Sequence, residues 1–181
     1  MAKLRKFVCY RNVKRPYTRK SKYSKKNFIK VYPSSRISRF QVGDAKRNFR
    51  YKCLIKVKEA VQVRHNALES ARLTANKVLE KAVGKGNYFL KMRVFPHHVL
   101  RENPLAKGAG ADRMSTGMAH SFGKNISSAA QLKAGQPIFE VNIDENGLKT
   151  GKLAMKRQAY KFPCKCTVEI IDTETGKQMF V

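Results

Sequence analysis

Three sets of residues in this chain are of types that could do chemistry: the pair His97-His98, the Cys164-Lys-Cys166 pair, and a glycine-bracketed run, Gly117-Met-Ala-His-Ser-Phe-Gly123-Lys124-Asn125. The glycine run resembles a nucleotide phosphate loop and misses it. Five residues separate the glycines where that loop has about four, and Asn125 stands where a magnesium-binding Ser or Thr is needed. Nucleotide hydrolysis is therefore rejected, and Lys124 is expected to meet a phosphate only as a point charge. The two histidines could seed a metal site or supply a base. Glu102 is the one carboxylate near them in sequence, and neighbouring residues on a strand point to opposite faces. They read as structural or RNA-facing imidazoles. A single residue separates Cys164 from Cys166, against the roughly two to four of zinc knuckles, and no second pair completes a set. Cys53, Cys164 and Cys166 read as small buried hydrophobes. Of the 12 acids, none form the paired arrangement that hydrolases need. Neither an enzyme, a cofactor nor a metal is expected.

Charge points elsewhere. Lys and Arg number 39 against 12 acids, for a net charge of +27 in 181 residues. Such an imbalance repels itself in a compact fold unless a partner neutralises it. Nucleic-acid phosphate is the usual partner, through counterion release. An anionic membrane surface ranks last, because the basic segment has no helical apolar face to insert. No apolar stretch approaches the roughly 20 residues that cross a bilayer. The first residues lack the apolar core of a secretory signal, so a cytoplasmic location is expected.

The cations are uneven. Residues 1–52 hold 18 of the 39, with Asp44 as their one acid, and interleave them with Tyr10, Tyr17, Tyr23, Phe28, Tyr32 and Phe40. Such a segment buries too little to fold alone. It reads as an arm, residues 1–48, that threads into RNA, with Arg and Lys on phosphates and aromatics stacking on bases or packing beneath them. A second basic segment is the Gly- and Ala-rich stretch from Asn103 to Gly117, which carries Lys107 and Arg113. It has no apolar period and reads as a long flexible loop, with Asp112 shaping it by pairing locally with Arg113.

A globular part, residues 49–181, must hold these segments. From Tyr51 to Val63 the apolar residues recur with period two, which predicts one strand. Asn66 with Glu69 predicts a capping-box start to a helix. Leu68, Ala71, Ala75, Val78, Leu79 and Ala82 form its apolar stripe, with Arg72 off the stripe and Gly84 as its stop. Strands are predicted at Tyr88–Phe95, Met118–Phe122, Pro137–Ile143 and Cys164–Ile171. A second helix is predicted from about Thr150 to Tyr160, ended by Pro163. The order argues an α+β two-layer domain, two helices against a mostly antiparallel sheet.

These residues resemble a known family. Val61 to Asn76, Phe95-Pro-His-His-Val-Leu-Arg-Glu-Asn103, and Gly108-Ala-Gly-Ala-Asp-Arg-Met-Ser-Thr-Gly-Met118 followed by Phe122-Gly-Lys124 look like the universal large-subunit ribosomal protein called L-sixteen in bacteria and L-ten-e in archaea and eukaryotes. The wording is nearest the archaeal form. Cys9-Tyr-Arg11, Lys14-Arg-Pro-Tyr17 and Pro33 to Gly43 are similar to the family's arm. Ala119 stands where the family commonly carries Arg.

The resemblance implies a structural constituent of the large ribosomal subunit, bound to large-subunit rRNA beside the A-site tRNA corridor. Its long loop would reach toward the peptidyl-transferase centre, and RNA would do the chemistry. Expected partners are large-subunit rRNA, A-site and P-site tRNA and neighbouring ribosomal proteins. Expected rRNA contacts are Arg5, Lys6, Arg11, Lys14, Arg15, Arg19, Arg36, Arg39, Arg64, Arg72 and Lys124. Lys107, Gly108, Gly110, Asp112 and Arg113 form the loop that would face tRNA or the catalytic-centre RNA. The first rival is a free-standing RNA chaperone, which shares the charge but has no stoichiometric ribosomal home.

Overall fold

The computed structural model describes residues 4–103, 108–114, 118 and 123–180, with the side chains of Asp112, Met114, Met179 and Phe180 outside that description. Its strands are β1 (Gln41–Gly43), β2 (Tyr51–Val57), β3 (Val61–Arg64), β4 (Tyr88–Met92), β5 (His98–Glu102), β6 (Lys124–Leu132), β7 (Pro137–Ile143), β8 (Cys166–Asp172) and β9 (Gln178–Phe180). The helices are α1 (His65–Val83), a single turn α2 (Ala111–Met114) and α3 (Leu148–Ala159). Six strands form one sheet in the order β1-β4-β7-β2-β8-β9, and β3-β6-β5 form a smaller one. Every pairing is antiparallel. The α+β class expected from the sequence is what the chain adopts.

The predicted strand over Tyr51–Val63 is two strands in two sheets. Its apolar period of two is interrupted at Glu59, which stands at an otherwise inward position and is exposed, and there the chain leaves the large sheet for the small one. Its partner makes the same move. β7 pairs with β2 in the large sheet, while β6 pairs with β3 in the small one. The crossing is fastened where the Gly135 N–H donates to the Val57 carbonyl at 2.8 Å and the Val57 N–H to the Gln136 carbonyl at 3.2 Å.

β7 has the predicted bounds, whereas β4 stops at Met92, short of Phe95. β5 was hidden by Pro96 and by the histidines. The predicted strand at Met118–Phe122 falls mostly outside the described residues. The predicted helix over Thr150–Tyr160 starts two residues earlier, at Leu148. Within the stretch expected to be a structureless loop, α2 supplies one helical turn.

α1 and α3 pack together with the large sheet. Leu68, Ala71, Ala75 and Leu79 from α1 and Ala154 and Met155 from α3 meet Ile55, Leu90, Phe139, Val141 and Ile143 in one core. Ile170 is buried there, with Cys164, Cys166 and Val168 packed against it, as the strand's alternation implies. Ala82, placed on the stripe by its spacing, is exposed instead. The capping box does not form. α1 starts at His65, Arg64 occupies the cap position without a side-chain cap, and Glu69 turns to Arg72. Gly84 ends α1 at φ 86°, as expected of a helix stop.

Gly43 closes β1 against β4 at φ 98°, and a Cβ there would lie 2.1 Å from the Tyr88 carbonyl oxygen. Only glycine fits, so the end of the arm meets the large sheet at one permitted register.

Candidate nucleic-acid interface

The arm lies along the domain, and the domain holds it by its main chain. The Gln131 amide donates to the Lys14 carbonyl at 2.8 Å, and Gln62 donates to the Tyr10 carbonyl. Asn125 donates to the Val31 carbonyl at 2.8 Å. Two imidazoles accept from arm amides: His98 Nδ1 from Tyr17 N–H at 2.8 Å, and His65 Nδ1 from Arg36 N–H at 3.0 Å. Backbone pairs add Val99 N–H to the Tyr17 carbonyl and Met92 N–H to the Phe40 carbonyl. Ile29 and Tyr10 are the arm's buried apolar anchors. An extended basic segment carries unpaired backbone groups that must find partners where it is covered. Here amide and imidazole side chains of α1, β3, β5 and β6 supply many of them.

This arrangement leaves the arm's cationic side chains outward. Lys6, Arg11, Lys14, Arg15, Arg19, Arg36 and Arg39 are exposed. Among the described residues no carboxylate pairs with any of them. Arg5 is exposed but pairs with Glu102 at 3.1 Å. Arg64 is half-buried, donates to the Arg5 carbonyl at 2.9 Å and lies over the Tyr10 ring. Burial pushes the Tyr10 hydroxyl up to about 12, so it stays a neutral phenol. Lys124, at the start of β6, is exposed.

Arg72 gives a different result. It is buried, and its guanidinium donates to both carboxylate oxygens of Glu69 at 2.9 and 2.5 Å and to Ser38 Oγ at 3.1 Å. The Arg72 hydrogen bond leads the causes that hold the Glu69 carboxyl below the usual range, and Ser38 adds to it. The expected phosphate contact at Arg72 gives way to an internal one. Its charge fastens Ser38 of the arm to α1.

The arm's aromatics support its cations. Tyr17 and Phe28 stack at 6.4 Å with 15° between their planes. Arg19 covers the Phe28 ring at 4.7 Å, and Arg101 covers Tyr17 at 3.7 Å. Lys20 sits over Tyr32, and Lys22 and Lys26 over Tyr23. Cation–π contacts of this kind hold a charge in place without neutralising it. Between this stack and β5 lies an open cleft of about 780 Å³ that is lined by Lys14, Arg15, Tyr17, Arg19, Phe28 and Arg101. Arg101 was missed from sequence. Its signal was present, a cation directly after an apolar pair on a short strand, but β5 itself was not recognised.

Of the loop, Gly108 and Gly110 are exposed at positive φ, and their carbonyls accept from the N–H groups of Ala111 and Arg113. Arg113 is exposed on α2. Lys107 and the Asp112 side chain, with the pairing expected of Asp112, lie outside the described residues.

His98 is pressed toward its neutral form by burial first and by Arg101 second. His97 packs on the Phe95 ring at 4.8 Å. Cys53 is buried, and burial pushes its thiol up to about 11. Cys164 and Cys166 lie with their Sγ atoms 4.0 Å apart. Among the described residues no group of three or more His, Cys, Asp or Glu could hold a metal ion. No helix among them is long and apolar enough to cross a membrane.

An α+β domain that grips a basic extension by its backbone and turns the cations outward belongs to the class of RNA-associated proteins with basic arms. Comparison with known proteins makes the class specific. The family described as Ribosomal protein L16p/L10e matches residues 14–169. The large ribosomal subunit protein uL16 of Staphylothermus marinus is 41% identical over 160 residues, 88% of this chain and 89% of that protein. Those of Archaeoglobus fulgidus and Methanococcus aeolicus are 42% identical over 154 residues (85% of each chain) and 38% identical over 167 residues (92% and 94%). This chain belongs to the ribosomal protein L16p/L10e family, in its archaeal type.

Proposed function

We propose that this protein binds large-subunit rRNA beside the A-site tRNA corridor and reaches toward the peptidyl-transferase centre during translation. As a family member it is a structural constituent of the large ribosomal subunit, in the cytoplasm, and not an enzyme. The observation that carries the reading is the backbone clasp, because it holds the arm in place and leaves Lys6, Arg11, Lys14, Arg15, Arg19, Arg36 and Arg39 exposed without carboxylate partners among the described residues. Residues 1–48 act as the rRNA-binding extension and residues 49–181 as the domain that carries it. Phosphate contacts fall to Lys6, Arg11, Lys14, Arg15, Arg19, Arg36, Arg39 and Lys124, with Arg5 and Arg64 partly engaged inside the protein. The segment from Lys107 through Gly108, Gly110 and Asp112 to Arg113 faces tRNA or the catalytic-centre RNA.

Sedimentation of the tagged protein through a sucrose gradient at two salt concentrations tests this reading. Stoichiometric migration with the large subunit that persists at high salt supports it. Material spread across all RNA fractions, and stripped steeply by salt, would make the protein a free-standing RNA chaperone instead.

A further inference from the structure

We propose that the exposed face of α3, with the turn that follows it, is a second RNA-docking surface. It takes an rRNA segment separate from the one along the arm. The proposal rests on the rRNA-binding reading above and adds a second contact to it.

Between Glu145 and Glu169 the chain has no acid and six cations: Lys149, Lys152, Lys156, Arg157, Lys161 and Lys165. Among the described residues none of the six joins an ion pair or donates a side-chain hydrogen bond. Scattered lysines such as Lys58, Lys77, Lys91 and Lys133 are also without an ion pair among the described residues. No other described segment of the domain gathers six in one acid-free run, however, and several cations on the large sheet are paired. Lys52 and Arg93 share Glu140, Lys56 meets Glu169, and Arg50 faces Glu145, Asp172 and Glu174. The few acids have been placed where the domain neutralises itself, and α3 has been left without them.

The face also has a shape. α3 buries Gly151, Ala154, Met155 and Gln158, so its other side carries Lys149, Leu153, Lys156 and Arg157 outward. Lys149 and Lys156 are seven residues apart, about 10 Å along the helix. Leu153 is 44% exposed between them, and Tyr160 is 73% exposed just past the helix end. A flat aromatic and aliphatic stems among unpaired cations form a surface that polyanions with planar bases complement. A membrane fits poorly, because Leu153 and Tyr160 make no continuous apolar stripe.

The test uses the full-length protein with Lys149→Gln, Lys156→Gln and Arg157→Gln together, all exposed and all retaining helix propensity. Binding to protein-free large-subunit rRNA is measured across a range of KCl, and the bound RNA is footprinted with hydroxyl radicals. Losing three phosphate contacts should lower the slope of log K against log salt by about two to three. One contiguous RNA segment should lose protection. An arm variant, Arg11→Gln with Lys14→Gln and Arg15→Gln, should lower the slope independently and expose a different segment. An unchanged slope in a folded triple variant, or loss of the same segment in both variants, overturns the second surface and spares the arm. In intact subunits, Lys149 and Lys156 should resist an amine-reactive reagent that labels them in the free protein. Equal labelling, or crosslinking of these lysines to a neighbouring protein alone, also overturns it. If the wild-type protein fails to bind the rRNA at all, the broader rRNA reading falls as well.

Discussion

The His98 imidazole accepts the backbone N–H of Tyr17 at 2.8 Å, tying the arm to β5 across 81 residues of sequence. His65 repeats the arrangement with Arg36 at 3.0 Å. Each uses Nδ1 as an acceptor, so each must be neutral there. Burial, with Arg101 near one ring and Arg36 and Arg64 near the other, pushes both imidazoles below the ordinary histidine value of 6.5. The unfolded chain binds these protons more readily than the folded one. The stabilisation is therefore complete above about pH 6.5 and is lost as pH falls through the lowered folded values. Amide-exchange protection at Tyr17 and Arg36, corrected for intrinsic rates, should drop in that acidic range. His98→Asn, which keeps an acceptor and removes the titration, should flatten the response at Tyr17. Protection at Tyr17 that stays constant while NMR shows the His98 ring taking up its proton would refute the clasp.

Arg72 separates a structural cation from an RNA-binding one. Arg72→Ala leaves the Glu69 carboxylate largely buried without its partner and should cost about 2–4 kcal/mol in denaturant unfolding. The salt slope of RNA binding should stay unchanged. A fall of that slope by about one would return Arg72 to the phosphate contacts.

Glu140 should show up in the acid limb of stability. Burial on its own would raise this carboxyl, but hydrogen bonds and charges from Lys52 and Arg93 outweigh it and hold the value below its ordinary 4.5. Its contribution is present above that pH and disappears as pH falls through the lowered value. Because Lys52 and Arg93 are both about a third or more exposed, Glu140→Gln should cost only about 1–2 kcal/mol at pH 7. The gap between variant and wild type should close near pH 2. A gap independent of pH would mean that packing, not charge, is what the substitution removes.

Gly43→Ala should detach β1 from β4, since the new methyl would overlap the Tyr88 carbonyl and the residue would be strained at positive φ. A loss of roughly 2–3 kcal/mol is expected. Amide exchange should rise first at Val42 to Asp44. Wild-type stability in this variant would show that β1 can shift register without cost.

Lys107→Ala with Arg113→Ala should slow translation while subunits still assemble. Peptide-elongation rate and gradient profiles measured together separate the two effects. An unchanged rate would remove the loop from the tRNA path.

Much of the domain could be read in the sequence because its elements bury one face. Phe139, Val141 and Ile143 alternate along β7, although Ile138 and Glu140 on its other face are buried too, α1 carries a helical stripe, and Gly84 marks its end. Failure came where one pattern served two structures. The alternation from Tyr51 to Val63, broken only at Glu59, does not by itself reveal a change of sheet, because both strands keep the same period. β5 escaped because Pro96 and the histidines disguise a short strand whose polar residues hold the arm. The outward cations of the arm were legible from charge alone. Their grip was not, since Gln62, Asn125 and Gln131 look like ordinary surface amides until the backbone they hold is known. Arg72 was misjudged for a related reason: a charge has no sign of burial until its partner is located.

The clasp has a consequence for how this interface can change. Gln62, Gln131, Asn125, His65 and His98 recognise peptide groups, which almost every residue type presents alike. The identity of a side chain at Lys14, Val31 or Arg36 is nearly invisible to the grip. Folding and recognition are therefore written in separate alphabets along the same segment. A substitution among the arm's cations can retune the surface it meets while the fastening beneath it goes on reading the same text.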